Sequence, residues 1–125
     1  MVKIIISVAG SRSITDKSAV YKILLEYIRS ATVVVGDAGG VDAITKTFCL
    51  EYDKDFIVMH PANRYYPELY KSLGLQGSKL YLARDYNTVE AGDLCLAIWD
   101  GHSRGTYHFI EYAKEINKPL KIERI

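Results

Sequence analysis

Three loops of this sequence combine glycine with side chains that donate hydrogen bonds to anions. The first glycine loop is Gly10-Ser11-Arg12-Ser13, the second spans residues 36–42 (Gly-Asp-Ala-Gly-Gly-Val-Asp), and the third spans residues 100–106 (Asp-Gly-His-Ser-Arg-Gly-Thr). Glycine lets the backbone approach a ligand closely, hydroxyl groups donate hydrogen bonds, and the planar guanidinium of arginine can donate two at once to a phosphate. The loops therefore predict a site for a phosphorylated ligand.

The candidate contacts within these loops are their glycine, hydroxyl, carboxyl and guanidinium residues. They are Gly10, Ser11, Arg12, Gly39, Gly40, Asp42, Asp100, Gly101, Ser103, Arg104, Gly105 and Thr106. A structural alternative applies to each loop, since glycine can serve a tight turn or the close packing of a helix on a strand, and serine can cap a helix. The presence of three such loops, two of them with an arginine, favours binding.

The loops follow runs of residues that are typical of buried strands. We predict strands at residues 3–8, 32–35, 55–59, 94–99 and 120–123. Helical patterns lie between them, and the alternation of strand and helix indicates a parallel sheet. Several strands are apolar at consecutive positions, as expected when helices cover both faces. The predicted fold class is α/β, a Rossmann-like open parallel sheet of about five strands, forming one domain over residues 1–125.

The helices are predicted from apolar spacing and from their terminal residues. The first follows Thr15-Asp16 and ends near Ser30, the second begins after Gly40, one spans residues 79–91, and the last ends before Pro119. Proline cannot continue a helix, which explains that last boundary. Residues 60–78 lack a clear pattern and predict a long loop or a short helix. Tyrosines near this segment could stack on a base or pack on the surface, namely Tyr65, Tyr66, Tyr70 and Tyr81.

The strand order decides whether the three loops meet. Loops that leave the carboxyl ends of parallel strands lie at one edge of the sheet. If the order is 3-2-1-4-5, the loops converge beside a crevice between strands one and four. Each loop also leads into a helix, whose first amide groups and dipole favour an anion. This arrangement predicts that a phosphate binds where the loops meet.

Charge and hydropathy limit the classes of partner. The 16 basic and 15 acidic residues give a formal net charge of +1. No global field attracts nucleic acid, so we expect nucleic acid to be an unlikely partner. No apolar run is long enough to span a bilayer, and the first residues lack a signal-peptide pattern, so we expect a cytoplasmic protein without membrane association.

Motifs for metals and common cofactors are missing. Cys49 and Cys95 lie in apolar segments, and His60, His102 and His108 lack the spacing of metal ligands. Neither the Walker A sequence nor the dinucleotide-binding glycine pattern occurs, which argues against a nucleotide triphosphatase or a standard dehydrogenase. We expect no metal and no cofactor.

The glycine loops also resemble those of a known family. The series Gly10-Ser11-Arg12, Gly39-Gly40-Val41-Asp42, Arg84-Asp85 and the segment 99–106 resembles the motifs of the SLOG superfamily, in particular its small YspA-like branch. That superfamily includes the Smf/DprA proteins and the LONELY GUY phosphoribohydrolases. The resemblance implies a Rossmann-like fold, a nucleotide-derived ligand, and a role for Arg84 in holding a phosphate or sugar.

Two functions from different classes follow from this resemblance. The first is a sensor or carrier that binds a small nucleotide or nucleoside phosphate without transforming it. The alternative is an N-glycoside phosphoribohydrolase that releases a base from a nucleoside monophosphate, with Glu111 and Arg84 as weak candidates for catalysis. Glu111 stands about one helical turn beyond the usual carboxylate, which counts against hydrolysis. A DNA-binding accessory domain is disfavoured by the net charge, and a homodimer is possible.

Overall fold

A computed structural model describes residues 4–61, 67–74 and 78–125 of the chain. All strands of its single five-stranded sheet are parallel, in the order β3-β2-β1-β4-β5. They are β1 Ile5–Gly10, β2 Thr32–Gly36, β3 Phe56–Met59, β4 Leu94–Trp99 and β5 Leu120–Arg124. The helices in the described ranges are α1 Lys17–Tyr27, α2 Val41–Glu51, α3 Pro67–Ser72, α4 Ser78–Ala91 and α5 Arg104–Glu115. The predicted Rossmann-like α/β fold class is confirmed.

Helices cover both faces of the sheet. Alternate residues of the central strands point in opposite directions, so each face presents apolar side chains that the helices bury. In β4, Leu96 and Ile98 join the apolar cluster formed with α1 and α2, whereas Cys95 and Ala97 join the cluster formed with α4 and α5. Both faces of β4 are therefore buried, which explains its continuous apolar run. Burial raises the pKa of each cysteine thiol to about 11.

The helix ends follow local chemistry. Asp16 caps α1 by accepting a hydrogen bond of 3.1 Å from the amide of Ala19. The helix ends at Tyr27, before the predicted boundary, because Ile28 takes an extended conformation and buries its side chain in the core. At the other end of the chain, Asn117 has a φ of 58° and directs the backbone from α5 toward β5.

The irregular segment from residue 60 to 78 contains the short helix α3. Residues 62–66 and 75–77, which include Tyr65 and Tyr66, lie outside the described residues. None of the helices that the structure describes has the length and apolar character needed to cross a membrane.

Candidate functional site

The three glycine loops meet at the carboxyl edge of the sheet, and Ser11 joins them. The Ser11 hydroxyl accepts a hydrogen bond of 2.9 Å from the amide of Asp100, in the third loop. Its carbonyl accepts a hydrogen bond of 3.3 Å from the amide of Val41, in the second loop. Ser11 is fully buried, so it acts as a structural link between the loops.

Two glycines allow the loops to pack closely. Gly40 has a φ of 64°, and a Cβ atom at this position would overlap the Ser11 carbonyl and the Arg12 backbone. A Cβ atom on Gly10 would overlap the side chain of Val41. By contrast, a Cβ atom on Gly39 would meet nothing within 4 Å. The structural alternative therefore accounts for Gly10 and Gly40.

The carboxylate of Asp100 occupies several of the donors that were expected to bind an external anion. It accepts hydrogen bonds from the Ser13 hydroxyl at 2.5 Å, the His102 amide at 2.7 Å and the Ser103 amide at 2.8 Å. These bonds, that from Ser13 first, hold the pKa of Asp100 well below its usual range. The protein thus supplies its own anion to these groups, and Asp100 organises the loop.

Arg84 is part of a buried ionic cluster. Its side chain is only 6% exposed, and its guanidinium contacts Asp37 at 2.5 Å and Asp85 at 2.9 Å. The second carboxylate oxygen of Asp37 lies 2.7 Å from His60 Nδ1. Partial burial acts to raise the pKa of Asp37, but the hydrogen bond with His60 and the charge of Arg84 lower it overall. Two of the five N–H donors of Arg84 are therefore used by Asp37 and Asp85, which also balance its charge.

Asp42 has a carboxylate oxygen that is both buried and unpaired. The residue is 5% exposed. Oδ2 accepts a hydrogen bond of 3.2 Å from the amide of Ala38, whereas Oδ1 has no hydrogen-bond partner within the described residues. Burial raises the pKa of Asp42 to about 6, although the Ala38 amide and Arg84 favour the charged form.

Two adjoining cavities open where the loops meet. The outer cavity has a volume of about 430 Å³ and the inner cavity about 290 Å³. Five residues line both cavities, namely Arg12, Tyr81, Asp85, Arg104 and Gly105. The outer cavity extends to Leu82 and His108, and the inner cavity reaches Asp42 and Arg84. The shared residues make the two cavities one cleft with a deep inner end.

An aromatic ring lies close to two arginines at this cleft. Tyr81 is 45% exposed, with the guanidinium carbon of Arg12 at 6.0 Å and that of Arg84 at 5.6 Å from the ring centroid. Arg12 and Arg104 are exposed, and neither forms an ion pair with any residue that the structure describes. The outer rim of the cleft is therefore cationic and aromatic.

The structure brings only some of the predicted site residues to the cleft. Those that line the inner cavity are Gly10, Arg12, Asp42, Arg84, Ser103, Arg104, Gly105 and Thr106. The others line neither cavity and shape the loops, namely Ser11, Gly39, Gly40, Asp100 and Gly101. Glu111 also lies outside both cavities, exposed and 3.7 Å from the ammonium group of Lys114.

Sequence reasoning missed Asp85, which lines the cleft, and two residues behind it. Asp37, Asp85 and His60 belong to the cluster around Arg84, yet none was selected as a site residue. A usable signal was present for Asp37, because it follows β2 directly and so falls at the carboxyl edge. Across the described ranges, no group of three or more His, Cys, Asp or Glu side chains is arranged to hold a metal ion.

Comparison with known proteins identifies similar structures. No family model matches this chain, and no curated protein matches it. DNA processing protein A from Helicobacter pylori, described for its single-stranded DNA binding mode, is 20% identical with a TM-score of 0.70, over 95% of this chain and 64% of that one. DprA from Streptococcus pneumoniae is 19% identical with a TM-score of 0.74, over 96% of this chain and 50% of that one. The chain spans less than two thirds of either protein.

Because the sequence identities are only 20% and 19%, the structural similarity shows the fold alone. The fold is the one found in DprA proteins, which agrees with the resemblance to the SLOG superfamily. The similarity does not extend to an assignment within the YspA-like branch.

The comparison also corrects two predictions about function. A small nucleotide ligand, bound or hydrolysed, was expected, and nucleic acid was expected to be an unlikely partner. Both predictions are wrong, since the relative from Helicobacter pylori is described as binding single-stranded DNA. The argument from net charge failed because the formal charge of +1 sums the whole surface, whereas a strand responds to the local potential at a cationic rim.

Proposed function

We propose that this chain binds single-stranded DNA along the cleft at the carboxyl edge of the sheet. One observation carries the proposal: the exposed ring of Tyr81 lies in a cleft whose rim holds the guanidinium groups of Arg12 and Arg104, which form no ion pair with the described part of the chain. Proteins that bind single strands combine aromatic rings, on which bases stack, with basic groups that follow the backbone. The fold shared with the DNA-binding relative adds support.

The charges of the cleft determine the orientation of the strand. Arg12 and Arg104 are exposed and line both cavities. At the buried end, Arg84 is the one guanidinium beside three carboxylates, those of Asp42, Asp85 and Asp37, the last of which lines neither cavity. A phosphate is attracted to the rim and repelled by the excess of carboxylates inside. The backbone therefore follows the rim, and the bases face Tyr81 and the inner cavity.

The amino end of α5 supplies further contacts to the backbone. The first amides of a helix have no partner within the helix, and the helix dipole favours an anion there. Asp100 takes the amides of His102 and Ser103, so the amide of Gly105, which follows Arg104 and lines both cavities, is placed to contact a phosphate. Gly105 is exposed, which lets the strand approach the backbone.

The domain organisation, the branch of the superfamily and the cellular location are proposed from the same features. We infer that residues 1–125 form one domain of the YspA-like type, because the motif series from residue 10 to 106 contributes to a single cleft on a single sheet. We further propose a cytoplasmic location, as expected from the sequence. Limited proteolysis tests the proposal of one domain. Cleavage between the central strands of this sheet before cleavage at its edge strands would argue against it.

Fluorescence anisotropy with labelled oligonucleotides tests the proposal. We expect binding to a single strand and weaker binding to a hairpin duplex of the same length. Each phosphate contact on a single strand contributes about −0.7 to the slope of log K against log salt, so two arginines give a slope of about −1.4. Arg12→Ala and Arg104→Ala should each weaken binding and reduce the size of the slope by about 0.7.

Arg29→Ala is the matched control, because Arg29 is exposed and precedes β2 at the opposite edge of the sheet. This variant removes the same charge and should leave binding unchanged. Equal losses in all three variants would show that only total charge matters. That result, or equal affinity for the single strand and the duplex, would contradict the proposal.

A further inference from the structure

We propose that the inner cavity selects the base of the bound strand, with Asp42 accepting hydrogen bonds from amino and imino groups, so that guanine is preferred and thymine disfavoured. This inference rests on the proposed function, because a bound strand delivers the base. The cavity differs from the rim in charge, depth and hydrogen-bonding capacity.

The unpaired oxygen of Asp42 is the first argument. Asp42 lines the inner cavity, is more than nine-tenths buried, and leaves Oδ1 without a hydrogen-bond partner among the residues that the structure describes. A buried polar atom without a partner is costly and is rare in folded proteins. A ligand that donates a hydrogen bond at this point would satisfy the atom.

The surrounding carboxylates already have partners. Asp37 is held by Arg84 and His60, and Asp85 is held by Arg84. Asp85 uses only its Oδ1 in that contact and is partly exposed. Asp42 is therefore distinguished by burial, because it is only 5% exposed and its Oδ1 has no hydrogen-bond partner among the described residues. The charged neighbours of Asp42 itself are one guanidinium, that of Arg84, and two carboxylates, those of Asp37 and Asp85. A ligand group that reaches Asp42 should therefore carry donors and no negative charge.

The edges of the bases differ in the donors that they offer to a carboxylate. Guanine presents a ring N–H beside an exocyclic amino group, two adjacent donors that match the two oxygens. Adenine and cytosine present one exocyclic amino group beside a ring acceptor. Thymine places its single N–H between two carbonyl oxygens, which a carboxylate repels. A base that stacks on Tyr81, which lines both cavities, can turn this edge toward Asp42.

The experiment uses a short oligo(dT) host strand with one central position varied among dT, dC, dA, dG and deoxyinosine. Anisotropy should give the tightest binding for dG, about tenfold tighter than for dT, which corresponds to ~1.4 kcal/mol. Deoxyinosine, which lacks the 2-amino group, should lose part of that gain. Asp42→Asn should abolish the preference, whereas Asp53→Asn, the same change at an exposed residue outside the cleft, should keep it.

A second measurement compares the pH dependence of base selectivity in the unmodified protein and in Asp42→Asn. The selectivity of the unmodified protein should be full at about pH 7.5 and should fall at about pH 5, where protonated Asp42 no longer accepts two hydrogen bonds. The charged and titratable groups around Asp42 are those of Asp37, Asp85, Arg84, His60, Arg12 and Arg104. All of them are retained in Asp42→Asn, so a selectivity that changes equally with pH in both proteins would assign the effect to another group and overturn the inference.

The outcomes separate this inference from the proposed function. If no oligonucleotide binds, both are overturned. If all five strands bind equally, or if dT at the central position binds best, single-stranded DNA binding stands and base selection by Asp42 is wrong. A preference for dG that persists in folded Asp42→Asn also overturns the inference.

Discussion

The hydroxyl of Ser13 donates a hydrogen bond of 2.5 Å to the carboxylate of Asp100, across 87 positions of the sequence. The bond joins the first and third glycine loops, and the same carboxylate also accepts the amides at the start of α5. The geometry of the cleft therefore depends on an acid that lines neither of its cavities.

Replacing Asp100 should destabilise the fold in a pH-dependent way. The folded protein lowers the pKa of Asp100, through Ser13 first and then the two amides, so the charged form is favoured by folding. The contribution of Asp100 to the stability of the folded protein is present above the ordinary pKa of an aspartate, near pH 4. It is lost as the pH falls below that value. Thermal melting of Asp100→Asn should show a lower midpoint than the parent at neutral pH and a smaller difference at about pH 3. A difference that grows in acid would contradict this account.

The buried carboxyl of Asp42 should have the opposite effect on stability. Its pKa is raised to about 6 by burial, so the neutral form is favoured in the folded state. Stability linked to this group is complete below the ordinary pKa and is lost as the pH rises through about 6. Asp42→Asn removes the buried charge and should raise the free energy of unfolding at neutral pH by about 1–3 kcal/mol. Urea denaturation at about pH 4 and pH 7.5 measures the effect, which should nearly vanish at the lower pH.

Gly40 and Gly39 provide a matched pair in one loop. Gly40 has a φ of 64° and no space for a Cβ atom, whereas a Cβ atom on Gly39 would meet nothing within 4 Å. Gly40→Ala should therefore cost about 1–3 kcal/mol of folding free energy, and Gly39→Ala should be close to neutral. Chemical denaturation of both variants compares them directly. Similar values for the two would mean that Gly40 is not required for the contact between the loops.

The ring of Tyr81 should contribute to binding through stacking. Base stacking on an aromatic side chain is worth about 1–3 kcal/mol per base, so Tyr81→Ala should weaken the affinity for a single strand by about fivefold or more. Tyr81→Phe retains the ring and should bind almost as well as the parent protein. Equal losses in both variants, measured by anisotropy, would attribute the effect to the hydroxyl group.

The fold could be predicted from the sequence because its determinants are local or topological. The apolar runs of β1, β2 and β4 mark buried parallel strands, and their parallel arrangement places the following loops at one edge. The exact end of α1 could not be predicted, since it depends on the burial of Ile28 by other elements.

The roles of the site residues were harder to predict, because they depend on pairings across the chain. Arg84 looked available for a phosphate, yet it pairs with Asp37, 47 positions away. Asp100 resembled a ligand contact but completes the loops instead. The proposed partner, single-stranded DNA, was not predicted for a similar reason: composition gives the total charge, whereas the cationic rim of Arg12 and Arg104 exists only after folding.

The most direct test of the account is an NMR titration of the labelled protein with a short single-stranded oligonucleotide. Binding along the cleft predicts the largest shifts at the Nε–H groups of Arg12 and Arg104 and at the amides of Gly105 and Thr106, with the Arg29 side chain unaffected. Shifts that spread evenly over the basic residues, or that cluster at the opposite edge of the sheet, would contradict it.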